Sequence, residues 1–538
     1  MRSPVPRSTL DPGVLEVLWA RLIATADDQA AVLKTTSFTY IVRDADDLSA
    51  ATFDREGRMI VQAVTGSPGH INSLAAAIPH FLPLAPDIRP GDVLITNEPW
   101  LNSGQLNDFT VVSPIFHHED LVGYVGSTCH ALDIGGRGLT ADARDVYEEG
   151  IRILPTWLYR EGKPNQALVD FISWNVRTPE LALGDLHAQI VSNDAAIEGV
   201  CSLLCEFGLE DLETVSTEIR RRSENALRDA IAGLPDGDYS SHCIVDGIDD
   251  PVELRCTVTV EGRDLRIDYS GSSPQSRHGI NVVLNYATAY TTFAVNCALA
   301  PGVPHNDGTF QPVTVSAPSG SILNAKFPAP VAARHTVGHF IPGLVLEALS
   351  QAKPEMAMAQ GSSSLWVTTV RGHDDDAEFV SVLFSSGGMG ARPTHDGLNT
   401  ISFPSGAGTT PVEVLENSCP IMIWRKELRA DSGGAGQFRG GLGQTIELGV
   451  RSPYHWMLSC LGSRFAHPAA GVHGGMAGAP GRVLVDGQPV RNPRFAFDLE
   501  PQQRVVLELP GGGGFGDPAQ RSERLSADDR DRGITPVS

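Results

Sequence analysis

The sequence predicts a mixed α/β (α+β) fold built from several domains, and three observations support this. First, 538 residues exceed the length at which a single hydrophobic core keeps growing. Second, helical and strand-like patterns alternate in the first part of the chain. Third, strand patterns and glycine-dense segments dominate the rest. We therefore predict an N-terminal α/β domain over 1–234, a central mixed β/α domain over 235–410 and a glycine-rich β domain over 411–538.

The N-terminal domain is expected to begin with a helix. Asp11 and Pro12 provide a cap and a first turn, and apolar residues then recur at helical spacing. Between 37 and 65 the runs SFTYIV, LSAATFD and RMIVQAV are typical of strands. After GSPGH a second helix is expected, capped by Asn72 or Ser73.

The later elements follow the same two patterns. We expect a loop over 175–189 and a long amphipathic helix over about 209–234. Alternating strands then predominate, with helices at about 282–299 and 338–353. The glycine-dense segments of the last third match no nucleotide-binding fingerprint, and we interpret them as tight turns and close backbone approaches. We expect no ATP binding by this chain alone.

Composition excludes several classes of protein. The chain has 64 acidic and 41 basic residues and a formal net charge of -23, which argues against nucleic-acid binding. Its eight cysteines form no C-x-x-C pair and are expected to be reduced thiols. The N-terminus lacks an apolar signal core, and no apolar run is long enough to span a membrane. We therefore expect a cytoplasmic protein without membrane contact.

The stretch from Asn97 to Gly136 carries the clearest chemical signal. FTVVSPIF and LVGYVG are expected to pair as a hairpin through the turn from His117 to Asp120. Each strand is flanked by polar residues, so carboxylates and a histidine are brought to one end of the hairpin. Carboxylate and imidazole ligands together suit Mn, Fe or Zn. The residues in question are Asn97, Glu98, Asn102, Gln105, Asn107 and Asp108 in the first cluster, and Cys129, His130 and Asp133 in the second.

Two further residues are candidates for a site near this hairpin. Asp47 lies in an acidic connection just before LSAATFD, although such a connection is also typical of a solvated turn. His70 lies at a predicted helix entrance, where the helix N-terminus favours anions such as phosphate. A capping or packing role for His70 is the alternative.

A series of segments along nearly the whole chain matches, in order, the motifs of a known family. These segments are LSAATFD, GHINS, NEPWLNSGQLND, CHALDIGG, NVRTPE, GDLHAQ, YSGSSPQ, PHNDGTFQPVTVSAPSGSILN, DSGGAGQFRGGLG and PGGGGFGDP. In them the chain resembles the hydantoinase B family, which includes N-methylhydantoinase B, the second half of ATP-dependent 5-oxoprolinase, caprolactamase beta subunits and acetone-type carboxylase alpha subunits. The resemblance does not identify the substrate.

The resemblance implies a divalent metal site for Mn, Zn, Fe or Mg. The family pattern N-D-P-Y-x-G-G-T-H-x-x-D, followed by A-H-H-x-D-I-G-G, places metal ligands at Asp108 and His130. The third ligand, a histidine in the family, falls on Gln105, whose amide oxygen is a weaker, neutral ligand. Three interpretations remain: a metal bound more weakly through Gln105, recruitment of a neighbour (Asp47, His70 or Asp133), or no metal.

The resemblance also implies a two-component enzyme. A hydantoinase A-like partner would bind ATP and phosphorylate the amide oxygen, and this chain would complete ring opening of a hydantoin, a lactam or 5-oxoproline. Asp47 is then the candidate general base, and His70 and Asp133 are candidates for orienting the substrate or the ligands. The expected assembly is a heterotetramer of two A and two B chains. The alternatives are an alpha-type subunit of an ATP-dependent ketone carboxylase and a metal-free structural subunit.

Overall fold

The computed structural model describes residues 11–375 and 377–534. Within them the chain forms helices and strands in alternation, as expected for a mixed α/β protein. Four short 3-10 helices join larger elements at Ile78–His80, Leu82–Asp87, Pro354–Met356 and Pro518–Gln520. The α-helices, α1 to α13 in chain order, are Pro12–Thr36, Tyr40–Arg43, Pro68–Ala77, Val146–Glu149, Gln166–Asn175, Pro179–Phe207, Glu213–Ile231, Leu284–Leu299, Asp307–Phe310, His335–Gly338, Ile341–Ala352, Val412–Ser418 and Glu523–Asp531.

The strands of the described residues form four sheets of seven, four, four and five strands. The strands, β1 to β20 in chain order, are Leu48–Asp54, Met59–Gln62, Val93–Thr96, Asp108–His117, Asp120–His130, Thr156–Arg160, Lys163–Pro164, Gly237–Val245, Val252–Glu261, Asp264–Asp268, Val313–Ser316, Trp366–Asp374, Ala377–Ser385, Ile421–Leu428, Gln444–Val450, Trp456–Leu461, Arg482–Val485, Gln488–Pro489, Phe497–Leu499 and Val505–Glu508.

The seven-stranded sheet has the order β2-β1-β5-β4-β3-β6-β7, so the predicted hairpin of β4 and β5 lies at its centre. Both hairpin strands are buried along almost their whole length, because helices cover both faces. On one face α1 and α6 pack against the sheet, and on the other α3 closes a smaller cluster around Phe53 and Tyr124. A fully covered central hairpin explains the unbroken apolar runs of these strands.

The remaining sheets carry the rest of the chain. One sheet has the order β11-β10-β9-β8 and packs against α11, while α8 joins α11 to α3. The next, β13-β12-β16-β19, combines strands from both sides of residue 410. The last sheet has the order β14-β15-β20-β17-β18. A single large core cluster runs through residues of all three predicted domains, and the division at 234 and 410 stays a prediction.

The glycine-dense segments meet each other through bare backbone. Gly434 and Gly512 are joined by a backbone hydrogen bond of 2.8 Å, and Gly512 donates to Gly441 at 2.9 Å. A Cβ atom on Gly441 would lie 1.9 Å from the carbonyl oxygen of Leu398, and one on Gly388 would lie 1.8 Å from that of Gly441. Any side chain there would separate the segments. The interpretation of these glycines as sites of close backbone approach is confirmed.

Two predicted elements are wrong. SFTYIV does not form a strand, because its second half is the short helix α2. The carboxylate of Asp185 accepts hydrogen bonds from the backbone N–H groups of Phe38 (2.7 Å) and Thr39 (3.1 Å), which fixes the chain entering α2. The segment 175–189 is not a loop, since α6 begins at Pro179. Buried polar residues on the sheet-facing side of α6, including Gln189, conceal its helical pattern.

The helix that carries His70 begins earlier than predicted. Its N-cap is Ser67, not Asn72 or Ser73 as predicted. Pro68 takes the first helical position, where a proline is favoured. The Asn72 amide instead donates to the carbonyl of Ala289 in α8 at 3.0 Å. His70 therefore lies in the first turn of α3, at the predicted helix entrance.

The other predicted helices are confirmed as α1, α7, α8 and α11. Each of the eight cysteines lies in the described part of the chain and is free. No helix among the described residues combines the length and the apolar character that crossing a membrane requires.

Candidate functional site

The register of the central hairpin brings Asp108 and His130 together. The first residue of β4 and the last residue of β5 are direct partners in the antiparallel ladder. Opposed residues of such a ladder have Cα atoms about 5 Å apart, so side chains on the same face meet. Asp108 Oδ1 lies 3.0 Å from His130 Nδ1, and both side chains are buried. The pairing of β4 with β5 is therefore sufficient to bring Asp108 and His130 together, as the sequence predicted.

Gln105 completes a compact triangle with these two residues. The loop between β3 and β4 places its amide 3.0 Å from Asp108 Oδ1 and 2.8 Å from His130 Nδ1. All three residues are at most 4 % exposed. The triangle is therefore shielded from bulk water, and its three atoms must satisfy one another or a shared ligand.

Three good hydrogen bonds cannot form along all sides of this triangle at once. Its sides are 2.8, 3.0 and 3.0 Å, so its internal angles are close to 60°. The two N–H bonds of the Gln105 amide diverge by about 120° and cannot both follow sides of this triangle. If His130 Nδ1 carries a proton for Asp108, it cannot also accept from Gln105. No placement of protons gives every contact one donor and one acceptor at a good angle.

The same triangle fits a divalent metal. Donor atoms in adjacent positions around a metal, each about 2.1 Å from it, are themselves about 3.0 Å apart. The two ends of an amide are assigned from their surroundings, so Gln105 can present its oxygen in place of its nitrogen. One amide oxygen, one carboxylate oxygen and one imidazole nitrogen then face a common point with the required spacing. The residues present fit the metal that the sequence patterns imply.

The second oxygen of Asp108 faces positive charge. Arg334 donates to Asp108 Oδ2 at 2.7 Å, and His70 Nε2 lies 3.1 Å from the same atom. The hydroxyl of Ser103 donates to it as well. Burial opposes ionisation, but His70 and Arg334 outweigh it and hold the pKa of Asp108 well below its usual range. Asp108 thus stays an anion. Its Oδ1 belongs to the triangle with Gln105 and His130, and its Oδ2 contacts Arg334 and His70.

His70 lies between two carboxylates. Its Nε2 contacts Asp108, and its Nδ1 lies 3.3 Å from Asp47 Oδ1, at an angle that makes this an ion-pair contact and not a hydrogen bond. Burial lowers the pKa of His70, yet Asp108 and Asp47 together raise it above its ordinary value. Asp47 itself lies just before β1 and 3.9 Å from His130 Nδ1, so the structure brings five of the six predicted site residues into one group.

Asp133 is the exception. Its carboxylate accepts from the guanidinium of Arg177 at 2.7 Å and from the backbone N–H groups of Arg177 and Gly135. These contacts tie the turn after β5 to the segment before α6. Asp133 is not among the described residues that line the cavity beside Asp108.

Most of the other polar residues singled out near the hairpin support the loop. The Asn97 side chain bonds to the backbone of Leu106, Ile151 and Ile153. Glu98 is paired with Arg152, and the Asn107 amide donates to the carbonyl of Ala131 at 3.0 Å. These side chains replace the backbone partners that an irregular buried loop lacks. The polar residues near the hairpin therefore have two roles: some form the candidate site, and the others hold the loop in the conformation that positions it.

Arg334 is the site residue that the sequence analysis did not identify. Its Nε donates to the carbonyl of Ser103 at 2.6 Å, and its guanidinium lies 4.3 Å from the centre of the Tyr286 ring. It is separated from its buried partner Asp108 by 226 residues in the chain. The only local signal was the polar pair of Arg334 and His335 within the largely apolar run before α11.

Arg334 is held in place by a buried carboxyl group. Glu149 Oε1 accepts from the backbone N–H groups of Val331 (2.6 Å) and Ala332 (2.8 Å), three and two residues before Arg334. Its Oε2 is buried without a hydrogen-bond partner among the described residues. Burial raises the pKa of Glu149 to about 8, against the opposing backbone hydrogen bonds.

A tyrosine pair and a neutral histidine continue the network on the far side of Arg334. The hydroxyl groups of Tyr286 and Tyr290 each lie 3.0 Å from His339 Nε2. His339 Nδ1 accepts from the backbone N–H of Leu365 at 3.3 Å, so the proton of a neutral ring resides on Nε2. A Cβ on Gly69, beside His70, would lie 2.6 Å from the Tyr286 ring. Glycine is needed there for α3 to approach α8.

These side chains surround a small buried cavity of about 40 Å³. One part of its wall is polar and the other is apolar, and residues of the first two predicted domains contribute. Burial and the neighbouring Arg334 lower the pKa of His335 to about 3, so that ring is neutral. His130 Nε2 is buried and has no hydrogen-bond partner among the described residues. The lining residues are Asp47, Ser67, His70, Gln105, His130, Leu139, Tyr286, Arg334, His335, His339, Leu365, Val367, Phe384, Ser405 and Ala407.

A second group of acids lies at the other end of β1. Asp54, Glu56 and Glu213 have carboxylate oxygens within 4.8 Å of one another, a spacing that could hold a metal ion. Arg58 neutralises the group, with Nε 2.8 Å from Asp54 Oδ2 and contacts to both glutamates. These residues fix the β1–β2 turn against α7 and form a structural network.

The chain matches a known family over nearly its whole length. Residues 11–518 match the family described as hydantoinase B/oxoprolinase, so the chain belongs to that family. A putative D-/L-hydantoinase B chain from a Pseudomonas species (strain NS671) is 28% identical over 556 residues, which cover 98% of this chain and 93% of the relative. The caprolactamase beta chain of Pseudomonas jessenii is 30% identical over 542 residues, covering 96% of this chain and 92% of the relative.

Solved structures agree with this assignment. The crystal structure of the ATP-dependent caprolactamase from Pseudomonas jessenii matches with a TM-score of 0.90 and 28% identity, covering 98% of this chain and 95% of the matched chain. Acetone carboxylase in its nucleotide-free structure matches with a TM-score of 0.87 over 98% of this chain and 78% of the other. At 20% identity, the second likeness concerns the fold alone.

Proposed function

We propose that this chain is the hydantoinase B-type component of an ATP-dependent hydrolase that opens cyclic amides, with the hydantoin, lactam and 5-oxoproline rings as the substrate class. One observation carries the proposal: beside a small cavity, the buried Asp108 joins a metal-type triangle on one side to Arg334 and His70 on the other. Membership of the hydantoinase B/oxoprolinase family and a caprolactamase relative over 96% of the chain support the same reaction class.

Gln105, Asp108 and His130 would hold the divalent metal, one of Mn, Zn, Fe or Mg. When bound, such an ion lowers the pKa of a coordinated water and offsets negative charge on a phosphorylated intermediate. Gln105 supplies a neutral oxygen, so the site carries one anionic ligand only. That composition is expected to bind the ion more weakly than a site with two histidines.

The chain's own residues divide the remaining work. Arg334 lines the cavity and places a permanent positive charge beside the position of the substrate, where it stabilises an anionic phosphoryl group. Asp47 lines the same cavity with 13% of its side chain exposed and is the proposed general base, accepting the proton of the attacking water. His70 is a positioning residue, because it contacts both Asp47 and Asp108 and fixes their separation.

ATP is proposed to be bound by a hydantoinase A-like partner. The relatives are named as B or beta components of larger enzymes, which supports a multi-component enzyme, and the caprolactamase structure is named as ATP-dependent. We propose that two A and two B chains form a heterotetramer. We also propose a cytoplasmic location, because the eight free cysteines are typical of a reducing compartment. Light scattering on the co-expressed chains tests the stoichiometry, and a lone monomer in every mixture would refute it.

The experiment that tests the function is ATP-dependent ring opening by the reconstituted two-component enzyme. Asp108→Asn should lower turnover by at least about a hundredfold and reduce bound metal. Asp133→Asn is the matched control, since Asp133 is another buried aspartate paired with an arginine but lies outside the cavity. Equal losses in both variants, or none in Asp108→Asn, would contradict the proposed site.

The proposed base is tested separately. Asp47→Asn should lower turnover by roughly 10²–10⁴-fold while metal content stays unchanged, because Asp47 is not one of the triangle atoms. Turnover at the wild-type rate in this variant would rule out the role of Asp47 as base.

The second candidate function is a carboxylase of the alpha type, with which the fold shared with acetone carboxylase is compatible. Ring-amide and ketone turnover, each with and without bicarbonate, distinguishes the two, because only a carboxylase consumes bicarbonate. A third possibility, a metal-free structural role, requires both absence of stoichiometric metal and unchanged turnover in Asp108→Asn.

A further inference from the structure

A second concave surface lies away from the buried centre. It is an open groove of about 1000 Å³, formed where the loop after β8, the segment before α4 and the strands β17 and β18 meet. None of its lining residues belongs to the cavity beside Asp108. We call it the arginine groove, after the five arginines in its wall: Arg144, Arg277, Arg482, Arg491 and Arg494.

The arginine groove has a charge opposite to that of the chain. Its lining includes five arginines and three aspartates, an excess of two positive charges, whereas the whole chain carries a net charge of -23. Two of the aspartates are already engaged. Asp246 accepts from the backbone N–H groups of Ala466 and His467 and from the ring of His467, and Asp249 is paired with Arg277 at 2.9 Å.

Three arginines of the groove are left for a ligand. Arg144 and Arg491 are exposed, and no carboxylate among the described residues lies within 4.0 Å of either guanidinium group, although the backbone N–H of Arg144 donates to Glu148 at 3.2 Å. Arg482 has its nearest carboxylate, that of Glu508, at 3.9 Å, and Glu508 is also paired with Arg429. In a chain so rich in acids, it is unusual that two arginines of one groove have no ion partner and a third has only a long contact to a shared one. Their guanidinium groups are suited to oxyanions, which they bind through two parallel N–H groups.

The base of the groove is rigid and contains unsatisfied donors. Arg494 is 5% exposed and donates to the backbone carbonyls of Asp246 (2.9 Å) and Gly247, which fixes the loop after β8. Arg494 Nε and His278 Nδ1 are buried without hydrogen-bond partners among the described residues. Phe465 and Phe495 add apolar surface beside these cations. A fixed base under exposed arginines is the arrangement of a preformed site.

We propose that the arginine groove binds a polyphosphate, either free or carried by a nucleotide. Several adjacent negative charges on one small ligand can contact arginines that arrive from three separate chain segments. The volume of about 1000 Å³ is at the upper end of the range for small-molecule sites and accommodates a nucleoside diphosphate. The proposal does not rest on the proposed catalytic function, because it concerns other residues and requires no partner chain. A nucleotide bound here would overturn the expectation of no ATP binding by this chain alone, which considered only the glycine-dense segments.

The test is titration calorimetry on the full chain at low ionic strength, after treatment with EDTA so that no metal at the Asp108 centre captures the ligand. Inorganic pyrophosphate and ADP are the probes. Both Arg144→Glu and Arg491→Glu should weaken binding by about tenfold or more, since each replaces an attractive charge with a repulsive one. Both residues are exposed, so the variants are expected to fold, and thermal melting verifies this.

Arg524→Glu is the matched control. Arg524 is exposed on α13, outside the groove, and its replacement changes the net charge by the same amount. It should leave the affinity unchanged. Tighter binding of ADP than of pyrophosphate identifies a nucleotide ligand, and equal affinities identify a free polyphosphate. Equal weakening in Arg524→Glu, or no binding of either probe by the wild-type chain, would overturn the proposal.

Discussion

The centre around Asp108 and the glycine layer around Gly441 are both places where distant segments approach closely, but by opposite means. At Asp108 the contacts are made by side chains, with oxygen and nitrogen atoms 2.7 to 3.1 Å apart. At Gly441 the side chains are absent, and backbone atoms meet directly. Both regions look like motifs in the sequence. The comparison shows that a dense run of similar residues indicates a functional site only when their side chains can form hydrogen bonds or bind a metal. A run of glycines indicates close backbone packing instead.

The largest effect is expected from a methyl group in the glycine layer. Gly441→Ala should destabilise the chain by at least about 3 kcal/mol or prevent folding, because its Cβ would lie 1.9 Å from the carbonyl oxygen of Leu398. Urea unfolding measures the change. Gly343→Ala is the control: it lies in α11 with no neighbour within 4 Å of the added Cβ and should stabilise by about 0.5–1 kcal/mol. Similar unfolding curves for the two variants would break the comparison.

A smaller, pH-dependent effect is expected at Glu149. Its pKa is about 8 in the folded protein, above the ordinary value of 4.5, because burial favours the neutral acid. Its contribution to stability is therefore fully present below about pH 4.5 and is lost as the pH rises to about 8, at up to about 1.4 kcal/mol per pH unit. Glu149→Gln should remove this loss while keeping the bonds to Val331 and Ala332.

Urea unfolding of the wild type and Glu149→Gln at pH 5, 7 and 8.5 checks this prediction. As the pH rises, the free energy of unfolding of Glu149→Gln should increase relative to that of the wild type. Parallel profiles would mean that Glu149 is already ionised in the folded state. The result sharpens the comparison, since Asp108 and Glu149 are both buried carboxyl groups but only at Asp108 do the neighbouring cations outweigh the effect of burial on the pKa.

The smallest effect is expected from restoring the histidine of the family pattern. Gln105→His should tighten Mn²⁺ or Zn²⁺ binding by about tenfold, because imidazole is a stronger ligand than an amide oxygen. Calorimetry with the metal alone measures the change. Gln311→His, an exposed glutamine beside Asp307, is the control for added histidine and should leave the affinity unchanged. Absence of binding in both wild type and Gln105→His would favour a metal-free centre.

Local patterns predicted the parts of the fold whose pairing partners are close in sequence. The β4–β5 hairpin, with its turn at His117 to Asp120, places Asp108 opposite His130 through register alone. Helices α1, α7, α8 and α11 follow from apolar spacing, and the glycine interpretation follows from the lack of a nucleotide fingerprint. The two wrong predictions, SFTYIV and 175–189, have a common cause in the buried polar side chains of α6. Asp185 binds the backbone of the segment SFTYIV, and Gln189 binds the backbone of Phe109 in β4. Such long-range contacts cannot be read from local sequence patterns.

The sequence by itself determined the family, the hairpin, and the identity of the residues at its tip, because these depend on residue order and on pairing over some twenty residues. Only the tertiary structure revealed Arg334, the neutral Glu149 behind it, and the separation of Asp133 from the cavity. The physical reason is that a buried charge is tolerated wherever the folded chain supplies an opposite charge or hydrogen-bond donors. Arg334 is 226 residues from Asp108, and Val331 is 182 residues from Glu149, so no local spacing encodes these contacts.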